Sequence, residues 1–174
     1  YRKGPLVFDG IAEVWVDDKD ALRAMSETPE FAAAKADEPN FIDTAELIEL
    51  VVDEHVIKDG PVPGDAIKSI ELVTFADGMT PAEGQAYWRD VHGPIAREIP
   101  SVQRYVQSHV RLGAYNRAEP PPYDGLALTW CESIDAMRAG ADTDAYRRTR
   151  ADEPNFLSPG HLPVILAKEH VFVE

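Results

Sequence analysis

At 174 residues and 44% apolar content, the chain can build one domain or two small ones around a real core. A formal net charge of −14 sets it against nucleic-acid phosphates and anionic lipid, so neither nucleic acid nor membrane is expected as a partner. Apolar runs stay too short for a membrane-crossing helix, and the lone Cys131 excludes an intrachain disulfide and fits a cytoplasmic location.

In chain order, residues 11–16 read as a strand, helices follow between 18 and 36, and a strand spans about 45–57. Lys58-Asp59-Gly60-Pro61-Val62-Pro63-Gly64 is a polar, Pro/Gly-rich linker. Residues 67–75 read as a strand. Thr80-Pro81-Ala82-Glu83 is a capping-box pattern with proline at the first helical position, so a helix is expected over 81–92. Gly93-Pro94 should stop it. Trp88, Val91 and Ile95 form its apolar stripe.

The strand expected at 102–112 alternates, with Val102, Val106 and Val110 on one face and Tyr105, Gln107 and His109 on the other. Pro120-Pro121-Pro122 keeps 113–122 out of a sheet interior. A strand at 125–131 offers Ala127, Thr129 and Cys131 to helices, and Leu126, Leu128 and Trp130 to the opposite face. Helices over 134–150, broken near Gly140, and a strand at 163–173 complete a βαββαβ plan. On the last strand of each half, Ile165, Ala167, Leu50 and Val52 are expected under helices, with His55 and His170 on the other parity. Glu54 and Glu169 fall on the apolar parity without an evident reason.

An offset of 115 residues aligns the chain with itself without a gap. Asp9-Gly10 falls on Asp124-Gly125, Trp15 on Trp130, and Ala36-Asp37-Glu38-Pro39-Asn40-Phe41 on Ala151-Asp152-Glu153-Pro154-Asn155-Phe156. About 19 of 49 aligned positions are identical. Residues 66–174 thus read as a complete copy and 1–58 as an incomplete first copy lacking its opening half. That missing half is expected in roughly fifty residues ahead of Tyr1, the length of the half-unit, or in strands from a second chain.

The run Trp88-Arg89-Asp90-Val91-His92-Gly93-Pro94, continued by Arg104-Tyr105-Val106-Gln107-Ser108-His109, resembles the EthD family of the dimeric α+β barrel superfamily. Tyr123-Asp124-Gly125 and Asp152-Glu153-Pro154-Asn155-Phe156 strengthen the resemblance. It implies an α+β fold of ferredoxin-like units, with two sheets packed face to face as a barrel. It also implies a small hydrophobic or aromatic molecule as partner, and a subunit interface lying mainly within this chain, so that a homodimer is optional.

The expected catalytic groups are His92, as general acid–base, with Tyr105 and His109. Gln107, Leu128, Trp130, Trp88 and Trp15 are expected to bind substrate, with Tyr105, Gln107 and His109 pointing into a cavity lined by Leu128 and Trp130. Cys131 is expected to be buried and unreactive. The Asp-Glu-Pro-Asn-Phe motif reads as a helix stop anchored by its phenylalanine. No Gly-x-Gly-x-x-Gly, Walker, His-Glu-x-x-His or Cys-x-x-Cys pattern occurs, so no cofactor and no metal is expected. What remains is acid–base chemistry on an organic substrate, and the EthD resemblance implies a small apolar or aromatic carbonyl compound, changed by isomerisation, cyclisation, dehydration or oxidation. The alternative is a non-catalytic protein that binds a hydrophobic metabolite.

Overall fold

The computed structural model describes residues 8–160 and 162–172. The final residue of the expected last strand, Val173, lies outside them. Among the described residues, 11–50 form one compact unit, and 51–172 with 8–10 form another.

In the larger unit, β1 (Val52–Lys58), β2 (Ile67–Val73), β3 (Val102–Val110), β4 (Gly125–Cys131) and β5 (Val164–Ala167) make one antiparallel sheet, ordered β1-β3-β4-β2-β5. Without β1 this is the ferredoxin-like order of a βαββαβ unit, so the fold class is α+β as expected. The strand expected at 67–75 is interior to the sheet and ends at Val73, with Phe75 bridging to Leu157. β1 does not belong to an opposing sheet. It covers the open edge of β3, pairing His55 with Gln107 and Val52 with Val110.

The first crossover is longer than expected. α3 (Pro81–Tyr87) starts on the full capping box, with Thr80 Oγ1 accepting from Glu83 N–H at 3.3 Å and Glu83 Oε2 accepting from Thr80 N–H at 2.9 Å. The chain then takes one π-helical turn over Trp88–His92 and continues through Gly93 and Pro94 as α4 (Gly93–Ala96). Gly93 N–H donates to the Trp88 carbonyl, five residues back. The wider turn relieves the clash that Pro94 would impose on a regular helix, so Gly93-Pro94 does not stop it. α5 (Ile134–Ala141) and α6 (Asp144–Asp152) form the second crossover, separated where Asp142 and Thr143 break the run.

The helices cover one face of the sheet. Ala96, Ile99, Val102, Tyr105, Cys131 and Ala145 form one cluster there, and Val73, Phe75, Trp88, Phe156 and Leu157 another. Ala127, Thr129 and Cys131 face the helices as expected, and Cys131 is buried. The strand beside them departs from expectation. Tyr105 pairs with Thr129 and Gln107 with Ala127, and residues directly opposite in a ladder share a face, so Tyr105, Gln107 and His109 also lie under the helices. The cause is a bulge at Gln103: Val102 pairs with Cys131 but Arg104 pairs with Trp130. Val102 faces the helices, and the extra residue sends Val106 to the other side.

That other side holds Ala66, Ile70, Val106, Leu128, Trp130 and Ile165, with Phe8 and Ala167 packed against them. Ile165 and Ala167 therefore do not lie under helices. Glu169 has a partner: its Oε1 takes a 2.9 Å ion pair from the buried Lys68, whose ammonium also lies 4.6 Å from the Trp130 ring centre. His170 is exposed and outside β5.

In the smaller unit, α1 (Lys19–Ser26) is capped by Asp18 and α2 (Pro29–Asp37) by Thr28, and neither helix has a buried residue. The segment 11–16 is not a strand. Phe41, the repeat partner of the buried Phe156, is exposed.

Gly125 fixes how closely the crossover approaches the sheet. A Cβ there would stand 2.4 Å from the Ser108 carbonyl oxygen and 2.8 Å from the Trp88 ring. Gly125→Ala should therefore cost about 1–3 kcal/mol of stability by overpacking, read as a lower urea midpoint, and shift the tryptophan fluorescence as Trp88 is displaced.

Candidate functional site

The π-helical turn and β3 together build a buried polar network. The Trp88 ring lies parallel to that of His109, with centres 4.6 Å apart and 15° between planes, and its indole N–H donates to the Tyr105 hydroxyl at 3.0 Å. Gln107 Nε2 donates to the Trp88 carbonyl at 2.9 Å and to the Tyr105 oxygen at 3.0 Å. The carbonyl fixes the amide's orientation, so Gln107 Oε1 is the acceptor facing His109 Nε2 at 3.0 Å. His109 thus carries its proton on Nε2. Its Nδ1 is buried and unpartnered, and the His55 ring sits 4.5 Å away. Burial, then the His55 and Arg89 charges, lower the His109 pKa to about 3 against the pull of Asp90.

Tyr105 is 3% exposed and its oxygen accepts two N–H groups. Its own O–H has no acceptor among the described residues. Burial holds its pKa well above the usual tyrosine value, although both donors pull it down. The group is therefore a neutral donor whose strength is raised by the two bonds it receives.

His92 closes the π-helical turn and is buried, 6% exposed. Its Nδ1 meets Asp152 Oδ2 at 2.9 Å, and its ring tilts against Phe156 at 4.7 Å. Asp152 Oδ1 also accepts from the Tyr87 hydroxyl at 2.8 Å and from Asn155 Nδ2 at 3.1 Å. Burial works to raise the Asp152 carboxyl, but the bonds from His92, Tyr87 and Asn155 outweigh it and keep it below its ordinary value. Burial also lowers the His92 pKa, against the pull of Asp152. Both shifts describe a neutral imidazole donating Nδ1–H to a carboxylate. His92 Nε2 makes no hydrogen bond among the described residues, so its lone pair is available.

A third pair was absent from the sequence reading. Glu71 projects from the helix-facing side of β2, opposite Ala127, and Glu153 follows α6 in a 3₁₀ turn. Burial raises the Glu71 carboxyl. Burial and the Glu71 charge raise Glu153 to about 7 against Arg150, which binds its Oε1 at 2.8 Å. Glu71 and Glu153 also act electrostatically on Tyr105, and Arg150 acts on His92. Glu71, Ala127 and Thr129 remain half-buried although β2 and β4 are interior strands, so the helices leave this part of the sheet, at the seam between the two, partly exposed.

The structure thus brings together His92, Tyr105, Gln107, His109 and Trp88. Leu128 and Trp130 lie on the opposite face of the sheet, so the expected cavity joining them to Tyr105 does not exist; the Gln103 bulge is the reason. Trp15 belongs to the other unit and is exposed. Among the described residues no group of three His, Cys, Asp or Glu is placed to hold a metal ion. Asp152 and Glu153 sit in the Asp-Glu-Pro-Asn-Phe motif. Its phenylalanine does anchor, at 1% exposure, but its carboxylates also reach the seam.

The EthD domain model matches residues 2–45 and 76–160. No curated protein sequence matches the chain. Among solved structures, a candidate monooxygenase from Fusobacterium nucleatum subsp. nucleatum superposes with TM-score 0.50 at 12% identity, over 88% of this chain and 68% of that one. An ethyl tert-butyl ether d (EthD) family protein from Bacillus halodurans gives 0.48 at 13% identity, over 60% of this chain and 99% of its own. A candidate monooxygenase from Lactobacillus acidophilus gives 0.47 at 13% identity, over 87% and 68%. At such identities the first of these supports the fold, which is that of α+β barrel proteins.

The His109 shift sets a pH dependence. Its folded value lies below its ordinary 6.5, so the unfolded chain takes up the proton first. The contribution is full above about pH 6.5 and is lost as pH falls toward 3. Urea midpoints measured across that window should fall in the wild type and fall less steeply in His109→Gln.

Proposed function

Because the chain belongs to the EthD family, we propose that it is an enzyme that moves a proton on a small, largely apolar or aromatic carbonyl compound, using its own side chains as acid and base. The observation that carries this reading is His92: oriented through Nδ1–H by the doubly supported Asp152, it keeps an unpaired Nε2. A base within hydrogen-bond reach of a group that fixes its tautomer is the recurring arrangement of proton-abstracting histidines. Tyr105 supplies the complementary part. Its unaccepted O–H, strengthened by Trp88 and Gln107, is a donor for a carbonyl oxygen that gains charge as the neighbouring carbon loses its proton.

On this reading Gln107 and Trp88 position Tyr105. His109 tunes Gln107 through its single Nε2 proton and stays uncharged at neutral pH, in keeping with its low pKa. Isomerisation, cyclisation, dehydration and oxidation of such compounds share removal of a proton beside a carbonyl as a first step. The same reading takes residues 1–58 and 66–174 as two copies of one unit, places the protein in the cytoplasm, and leaves a homodimer optional.

The reading is tested without knowing the natural substrate. Aromatic and alicyclic ketones incubated with the protein in D₂O should exchange their α-protons faster than without it, followed by proton NMR. His92→Ala should lower that rate by about 10²–10⁴-fold, the usual value of positioned proton transfer, with the fold intact by circular dichroism. Asp152→Asn should lower it in the same direction. Exchange that is absent, or unchanged in both variants, leaves a binding protein as the better reading.

A further inference from the structure

We propose that Glu71 and Glu153 form a like-charged carboxyl pair, carrying one proton, on the wall of the helix-side seam, and that this pair restricts the seam to uncharged, oxygen-bearing ligands. The inference rests on the reading of the seam as a proton-transfer site and names the ligand class that it takes.

The placement follows from the ladder and the turn. Glu71 lies opposite Ala127 on one side and Val164 on the other, on the face that the helices cover. Two residues along the same face, Val73 packs with Phe156, the residue that ends the turn carrying Glu153. Ala76 N–H donates to the Phe156 carbonyl at 2.9 Å and Phe75 bridges to Leu157, so the turn is clamped onto the end of β2. Both carboxyls therefore overlie one stretch of sheet. Two carboxylates in such a region cannot both ionise without a large electrostatic cost.

The groups facing Glu153 are few. Arg150, half-exposed on α6, binds Glu153 and is the cation that opposes the pair. Asp152, one residue earlier, is ionised and held by His92, Tyr87 and Asn155, and Glu71 adds from β2. Burial and these two carboxyls outweigh Arg150, in agreement with a Glu153 pKa of about 7. Tyr105, on β3, is the independent sign of a ligand: a side chain 3% exposed whose O–H has no acceptor among the described residues, electrostatically coupled to both glutamates.

A ligand oxygen accepting from Tyr105 therefore stands beside a proton-bearing carboxyl. Proton exchange there leaves the pair with the same single proton after a full cycle: Glu153 gives it to the ligand, and the proton removed by His92 restores it through solvent. A ligand carboxylate or phosphate would place a further negative charge beside Glu71 and Asp152, while Arg150 is already bonded to Glu153. A neutral ketone or phenol has no such cost.

The experiment uses the full chain with ¹³C-labelled glutamate carboxyls, titrated by NMR. One carboxyl should titrate near pH 7, vanish in Glu153→Gln, and move to lower pH in Glu71→Gln, where the like charge is gone. If no glutamate titrates above about pH 5.5, a unit or so over the ordinary glutamate value, the pair is overturned. It is equally overturned if Glu71→Gln leaves the Glu153 midpoint in place. For the ligand class, 4-hydroxyacetophenone should bind at pH 7 at least tenfold more tightly than 4-hydroxybenzoate, with the gap narrowed in the Glu71→Gln/Glu153→Gln double variant. Equal affinity, or no binding of the ketone, overturns the class. Neither readout uses turnover: a failed pair leaves the His92 reading standing, and an inert His92 leaves the titration intact.

Discussion

The stacking of Trp88 on the sheet is the contact on which the rest of the molecule depends. Its ring fits only because Gly125 has no side chain, and it then meets His109 face to face while its N–H reaches Tyr105. One large side chain so placed fixes the distance between helix and sheet, the tyrosine's orientation, and, through its own carbonyl, the Gln107 amide. A neutral hydrogen bond contributes about 1 kcal/mol net when made, but leaving a buried partner unsatisfied costs more. The network is therefore held together as much by what each loss would expose as by what each bond supplies.

The π-helical turn links this packing to the chemistry. A regular helix would bring the ring of Pro94 against the carbonyl four residues before it. The wider turn avoids that, leaves the Trp88 carbonyl able to accept from both Gly93 and Gln107, and ends on His92 beneath Asp152 and Phe156. The second crossover supplies Asp152 and Glu153 from one turn, whose Phe156 is buried in the same cluster as Trp88. Both crossovers thus deliver polar groups to the seam by anchoring an aromatic residue beside them.

Much of the fold was legible because it is written in local rules. The capping box at Thr80, the triple proline and the alternation in the strands each have a short-range physical cause. The site residues His92, Tyr105, Gln107, His109 and Trp88 were legible as polar chemistry concentrated in one stretch. Their common face was not. The Gln103 bulge leaves no mark in the hydrophobic pattern, because valines at 102, 106 and 110 suit either parity. The face of the sheet away from the helices is as apolar as the helix-covered one, so polarity did not distinguish Ile165 and Ala167 either.

The sequence by itself determined the α+β class, the order of strands and helices from 67 onward and the identity of the polar stretch, since these follow from periodicity and capping along the chain. Only the tertiary structure decided that Tyr105 faces helices and not Leu128 and Trp130, that β1 joins the same sheet, and that Asp152, Glu71 and Glu153 share the seam with His92. Those outcomes depend on which residues meet across distant parts of the chain, as Tyr105 meets Thr129, His55 meets Gln107 and His92 meets Asp152. Pairing at that range is set by burial and ladder register, and neither is encoded in any local pattern.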